Sequence, residues 1–175
     1  MRRLLVWFAV LMTLGVTVSS CSPSPPPSAS EVLLAMQSAL AESGQPLPDG
    51  VIRLTAAPTN SPSCLTETLF SALYGEAARG LLTAEGEQLP PIGDGATYLS
   101  YASYPRELAV FRCSDLSCAA TVGRLCQSRV DILCRRVSEA EISVKGRVWV
   151  EGCYVILAVC EDPTPAIDAA KSLID

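Results

Sequence analysis

The chain has 175 residues, 13 basic and 18 acidic side chains, a formal net charge of −5, and no histidine. The acidic balance leaves no basic stripe to neutralise phosphates, which excludes nucleic acid as an expected partner. The missing imidazole excludes Ser-His and Cys-His nucleophile pairs and histidine metal sites. Hydrophobic residues make up 49% of the chain, enough for one globular domain with a substantial core.

Arg2 and Arg3 precede an apolar run of 15 residues, Leu4 to Val18. That run is shorter than the roughly 20 residues needed to span a bilayer and has the dimensions of a signal peptide. It ends in VSSC, residues 18–21, which resembles the bacterial lipobox, where small residues present a cysteine for diacylglyceryl transfer and cleavage. Cys21 is therefore the expected lipidated N-terminus, and the lipid bilayer the expected partner, on the extracytoplasmic face of the cell membrane. Two buried acyl chains, at about 0.8 kcal/mol per CH₂, make a stable anchor. Removal of Arg2 and Arg3 leaves 11 basic against 18 acidic residues, a mature net charge of −7. Ser22 to Ser30 (SPSPPPSAS) carries four prolines, favours extended polyproline II, and reads as a stalk of roughly 28 Å. The expected division is a signal peptide over 1–20, the lipidated cysteine and linker over 21–30, and one domain over 31–175.

In the domain, Ser30 is the expected cap of EVLLAMQSALAESG, whose Val32, Leu33, Met36 and Leu40 recur at helical spacing, with Gly44 as its stop. VIRLTAA, from Val51, is a candidate extended segment. Thr66 opens a short helix bearing Leu69, Phe70, Leu73 and Tyr74, closed by Gly75. Glycine and proline make most of residues 76–95 loop, with GDG at Gly93 to Gly95 as a turn. Two β-rich runs, TYLSYAS and RELAVFRC, follow as a hairpin. Ser114 or Asp115 then caps a helix reaching about Arg136, buried along Ala119, Val122, Cys126, Val130 and Leu133. In ISVKGRVWV, Ile142, Val144, Val148 and Val150 face one way and Ser143, Lys145, Arg147 and Trp149 the other. CYVILAVC is apolar throughout, as in a central strand covered on both faces. Asp162 and Pro163 start a last helix with Ala166, Ile167, Ala170, Leu173 and Ile174 as its apolar stripe. The pattern predicts an α+β fold: N-terminal helices followed by a β-β-α-β-β-α unit with a mostly antiparallel, four-stranded sheet.

LAVFRCSDLSCAATVGRL and VWVEGCYVILAVCEDPTPAIDAAK resemble a family of small lipoproteins from Gram-positive Clostridia, catalogued as domain of unknown function four-three-five-eight. The matching positions are Val110, Phe111 and Arg112, then Gly152, Tyr154, Val155 and Leu157, then Glu161 and Asp162, with Tyr74 and Gly75 upstream. Two features depart from the family's pattern: the long helix is poor in Lys and Glu, and cysteine is abundant. The resemblance implies a lipid-anchored envelope location and an α+β domain. It supplies no catalytic residue.

Catalytic, cofactor and metal-ligand sets are not expected. Lys145 and Lys171 are the only lysines for a Ser-Lys pair, and the carboxylates Glu67, Glu76 and Glu85 have no evident pairing for a peptidoglycan-acting enzyme. Seven cysteines remain beside Cys21: Cys64, Cys113, Cys118, Cys126, Cys134, Cys153 and Cys160. An odd number cannot all pair within the chain, and no CxxC occurs. Three readings stay open: small buried hydrophobes, extracytoplasmic disulfides with Cys113 and Cys118 as the nearest pair, or a redox or metal-handling surface. Trp149 with Lys145 and Arg147, and Tyr98, Tyr101 and Tyr104 near the first hairpin, are the candidate binding surface for an envelope protein or glycan. The competing reading places Trp149 in the core, beneath the N-terminal helices. Together these features lead to the expectation of a non-enzymatic binding or envelope-assembly module, with a thiol-based protein as the alternative.

Overall fold

The computed structural model of the chain describes residues 25–84, 86, 88–102, 105–138 and 143–175. The signal segment, Cys21, Ser22 to Ser24, Glu85, Tyr104 and Ile142 lie outside the described residues. The elements in chain order are α1 (Ala29–Glu42), β1 (Gly50–Leu54), α2 (Glu67–Tyr74), a single 3₁₀ turn (Glu76–Ala78), β2 (Ile92–Ser100), β3 (Glu107–Cys113), α3 (Leu116–Ser138), β4 (Lys145–Glu151), β5 (Tyr154–Cys160) and α4 (Thr164–Ile174).

The α+β class holds, but the sheet has five strands, in the order β1-β2-β3-β5-β4, and every neighbouring pair is antiparallel. The added strand is β1, which pairs along β2 from Gly50 opposite Ser100 to Leu54 opposite Ala96. It interrupts the N-terminal helices, so the order is α-β-α and then β-β-α-β-β-α. On its outer side, Leu54 is bridged to Cys64, which covers part of an edge otherwise open to pairing.

Helices cover both faces of the sheet. One face packs Ala109, Phe111, Val155, Leu157 and Val159 against α2 and α3 through Phe70, Ala119, Val122, Cys126 and Val130. The other packs Ala96, Leu108, Val110, Ile156 and Ala158 against α1 and α4 through Val32, Leu33, Met36, Ile167 and Ala170. Because successive residues of a strand face opposite sides, only a strand apolar at every position suits the centre of such a sandwich. All seven residues of β5 are buried there.

Several local expectations need correction. The cap of α1 is Ser28, two residues before Ser30: its hydroxyl accepts from the Glu31 N–H while the Glu31 carboxylate accepts from the Ser28 N–H, a capping box. GDG forms no turn. Gly93 to Gly95 lie within β2, where the register slips between Ile92 and Asp94. The bulge redirects Asp94, whose Oδ2 accepts from the Ala29 N–H at 2.8 Å, satisfying an otherwise orphan donor of α1 from a distant strand. Leu173 stands out of the expected stripe at 46% exposure, since α4 meets α1 through its Ala and Ile positions. Val150 is likewise exposed, at the rim of an edge strand.

Gly146 lets α3 approach β4. A Cβ there would lie 2.2 Å from Val130 Cγ1 and 3.1 Å from Cys134 Sγ. Gly152 turns β4 into β5 with φ +53°, in the left-handed region that glycine enters at no cost.

Candidate functional site

Lys145, Arg147 and Trp149 pair with Cys160, Ala158 and Ile156 of β5, which places all three on the α1/α4 face, at its outer edge. Lys145 and Arg147 are exposed, and both help hold the Asp162 carboxyl below its ordinary value, after the larger effect of its bond to Thr164 at the start of α4. Trp149 is half-buried against the α1/α4 cluster, and Lys171 Nζ sits 5.6 Å from its ring centroid. The side chain is therefore flanking core. Tyr98 is also buried, its hydroxyl donating to the Pro48 carbonyl, while Tyr101 is exposed.

The carboxylates considered for catalysis have structural tasks. Glu67 accepts from the Gly80 and Leu82 N–H groups at 2.7 and 3.1 Å and from the Thr83 hydroxyl at 3.1 Å, tying down the loop after the 3₁₀ turn. Glu76 pairs with Arg79 on the surface.

Sequence reasoning missed a polar group inside the core. Glu107, 2% exposed on the α2/α3 face of β3, accepts from the Tyr74 hydroxyl at 3.1 Å and from Arg129 Nε and Nη2 at 3.0 and 2.8 Å. Burial, and next the adjacent carboxylate, push the Tyr74 phenol well above its usual range. These residues lie 22 and 33 positions from Glu107, and each reads locally as an ordinary surface or helix residue. The only local signal was a charge opening an otherwise apolar strand. The network locks α2 and α3 to the sheet.

All seven described cysteines are free. Cys64, Cys113, Cys118, Cys126 and Cys160 are buried, whereas Cys134 and Cys153 are half-buried. Burial pushes the thiols of Cys113, Cys118, Cys126 and Cys134 up, and that of Cys160 up to about 11. Cys126 and Cys160, which have no accessible surface, are core filler. Cys113 and Cys118, the sequence-nearest pair, belong to the same core cluster, where the Cys118 thiol donates to the Pro91 carbonyl that also accepts from the Ser114 N–H. Among the described residues no group of three or more Cys, Asp or Glu side chains is placed to hold a metal ion.

A groove of about 630 Å³ opens beside the start of the described chain, lined by Pro25 to Pro27, Leu34, Ala35 and Leu173. Leu34 is 62% exposed. The prolines belong to the segment expected to be stalk, yet the Tyr154 hydroxyl donates to the Pro27 carbonyl at 2.5 Å and the Ser28 cap follows directly. No helix among the described residues is long and apolar enough to cross a membrane. No family model matches the chain, and no curated protein and no solved structure matches it either.

Proposed function

We propose that the protein is an extracytoplasmic lipoprotein anchored through acylated Cys21, and that its domain is a non-enzymatic binding or envelope-assembly module working next to the bilayer. VSSC after the 15-residue apolar run supports the anchor. The observation that carries the membrane-proximal placement is the clasp on Pro27. With Tyr154 holding Pro27, and Asp94 holding Ala29, the chain is fastened to the domain from Pro27 onward. The six residues from Cys21 to Pro27 span at most about 21 Å when fully extended, against about 31 Å for a nine-residue stalk, so Cys21 tethers the domain the more closely. A ligand of this domain is then one found at the lipid surface or in the innermost envelope. The assignment of Glu67 and Glu107 to structural tasks, together with a chain without histidine, favours binding over catalysis.

The test is metabolic labelling with an alkyne fatty acid, followed by mass analysis of the mature N-terminal peptide. The expected result is an acylated peptide beginning at Cys21 and loss of label, with release from the membrane, in Cys21→Ser. A mature chain that retains residues 1–20, or an unlabelled chain in the membrane fraction, overturns the reading.

A further inference from the structure

Three cysteines gather at one end of the sheet, near the start of α3. Cys113 ends β3, Cys118 stands in the first turn of α3, and Cys153 lies in the turn between β4 and β5. The Cys113 N–H donates to the Cys153 carbonyl at 2.8 Å, one step beyond the Arg112–Tyr154 pair, so the two cysteines face each other across neighbouring strands. Directly opposed residues project to the same face with Cβ atoms about 4.5–5.5 Å apart. From the helix side, the Cys118 thiol donates to the Pro91 carbonyl at 3.3 Å, the same carbonyl that accepts from the N–H of Ser114, the residue after Cys113. Exposure grades the three: Cys113 and Cys118 are 6% and 8% exposed, and Cys153 is half-buried in its turn.

We propose that these three cysteines form a thiol–disulfide exchange relay, in which Cys153 takes up a disulfide from an external thiol-disulfide compound and the Cys113–Cys118 pair stores it. The inference goes beyond the anchoring reading and rests on it only for a supply of disulfides outside the membrane. The Cys153 thiolate attacks one sulfur of the external disulfide, expelling one thiolate and leaving a mixed disulfide. Cys113 attacks the Cys153 sulfur and expels the second external thiolate. Cys118 then attacks Cys113 and releases Cys153 as thiolate. In sum, one external disulfide is reduced to two thiols, the protons come from Cys113 and Cys118, and Cys153 is regenerated. Burial keeps an external disulfide from the pair itself, so the first exchange falls to the half-buried Cys153, and the later steps are intramolecular. Cys118 is placed as the final attacker by its position in the first turn of a 23-residue helix, whose N-terminal end favours a thiolate against burial and the neighbouring Asp115 carboxylate.

The experiment uses the purified, fully reduced full-length lipoprotein mixed with glutathione disulfide. Samples are quenched over time by alkylation in denaturant and mapped by mass spectrometry. The expected result is early glutathione on Cys153, then loss of two of the seven alkylatable thiols as a Cys113–Cys118 bond. Cys153→Ala should reach the same product about tenfold more slowly or worse, since the buried pair then reacts only on local opening. Cys118→Ser should trap Cys113–Cys153. Retention of all seven thiols, a disulfide elsewhere, or an unchanged rate in Cys153→Ala overturns the relay. The early glutathione adduct is read on the wild-type chain and stands even where a variant does not fold. Because Cys21 acylation is measured on a separate peptide, failure of the anchor and failure of the relay are distinguishable.

Discussion

Replacing Arg129 with Met should unfold the domain more readily than its position on a helix surface suggests. Arg129 supplies two of the three hydrogen bonds to the Glu107 carboxylate, and its own side chain is 16% exposed, against 2% for Glu107. Met keeps the aliphatic packing and removes both charged donors, leaving a buried anion on the Tyr74 hydroxyl alone. Breaking a buried pair costs about 3–5 kcal/mol. Water can follow into the partly exposed Arg129 site, so the low end applies, about 3 kcal/mol. For a chain of this size that is a fall in melting temperature of about 6–12 °C. Glu107→Leu alone should cost about 2 kcal/mol, because Tyr74 loses its acceptor and Arg129 its partner. The double variant, with neither charge, should lie within about 1 kcal/mol of wild type, since an apolar pair of similar volume replaces a buried ion pair at little cost. Urea denaturation followed by circular dichroism provides the cycle. A double variant as unstable as the sum of the singles, or Arg129→Met within 1 kcal/mol of wild type, would refute the claim that these charges are coupled in the core.

Gly146→Ala should cost about 2 kcal/mol by forcing β4 away from Val130, and Val130→Ala in the same chain should recover part of the loss; equal melting temperatures would show that α3 yields freely. Trp149→Ala should lower stability by about 2 kcal/mol, read by the same denaturation curves, and an unchanged curve would return Trp149 to the binding surface. Asp115 caps α3 through the Cys118 N–H at 2.8 Å, and this bond, working against a small burial effect, holds its carboxyl below the ordinary 3.8. A depressed folded-state value means its stabilisation is present above about pH 3.8 and lost as pH falls through the folded value. Asp115→Asn keeps a good cap without the titration, so its melting curves should fall less steeply than wild type between pH 4 and pH 2. Parallel curves would remove Asp115 from the acid response.

Elements with one dominant local signal were legible in the sequence. Thr66 and Gly75 bracket α2 as read, Asp115 is the cap of α3, and of the run CYVILAVC every residue after Cys153 is buried in β5. Features that depend on distant partners were not. GVIRL is short and mixed, and it becomes a strand only because β2 offers an edge whose register sets Val51 against Leu99. Asp94 looked like turn chemistry because glycine flanks it on both sides; its real task, holding the start of α1, depends on a residue 65 positions away. Ser28 was passed over as linker because prolines precede it, although proline leads readily into a capped helix. Likewise Cys113 and Cys118 were a visible pair, five positions apart, whereas Cys153 joins them only through the β3–β5 register.

That register also joins the proposed anchor to the thiols. Tyr154, which clasps Pro27, is the residue after Cys153, and Asp94, which holds the start of α1, follows the Pro91 carbonyl that Cys118 touches by three positions. Alternation along β5 sends the Tyr154 side chain to the α1/α4 face and leaves Cys153 with α3, so tether and thiols occupy opposite faces of the same end of the sheet. On the proposed anchoring, that end faces the lipid. A disulfide donor must then approach Cys153 within the reach of the tether, about 21 Å for the six residues from Cys21 to Pro27, a gap open to a small disulfide and narrow for a soluble protein. In vesicles carrying the lipoprotein, oxidation by glutathione disulfide should therefore match its rate in detergent, while oxidation by a soluble protein disulfide should slow. Equal slowing of both, or of neither, would separate the thiols from the membrane-facing end.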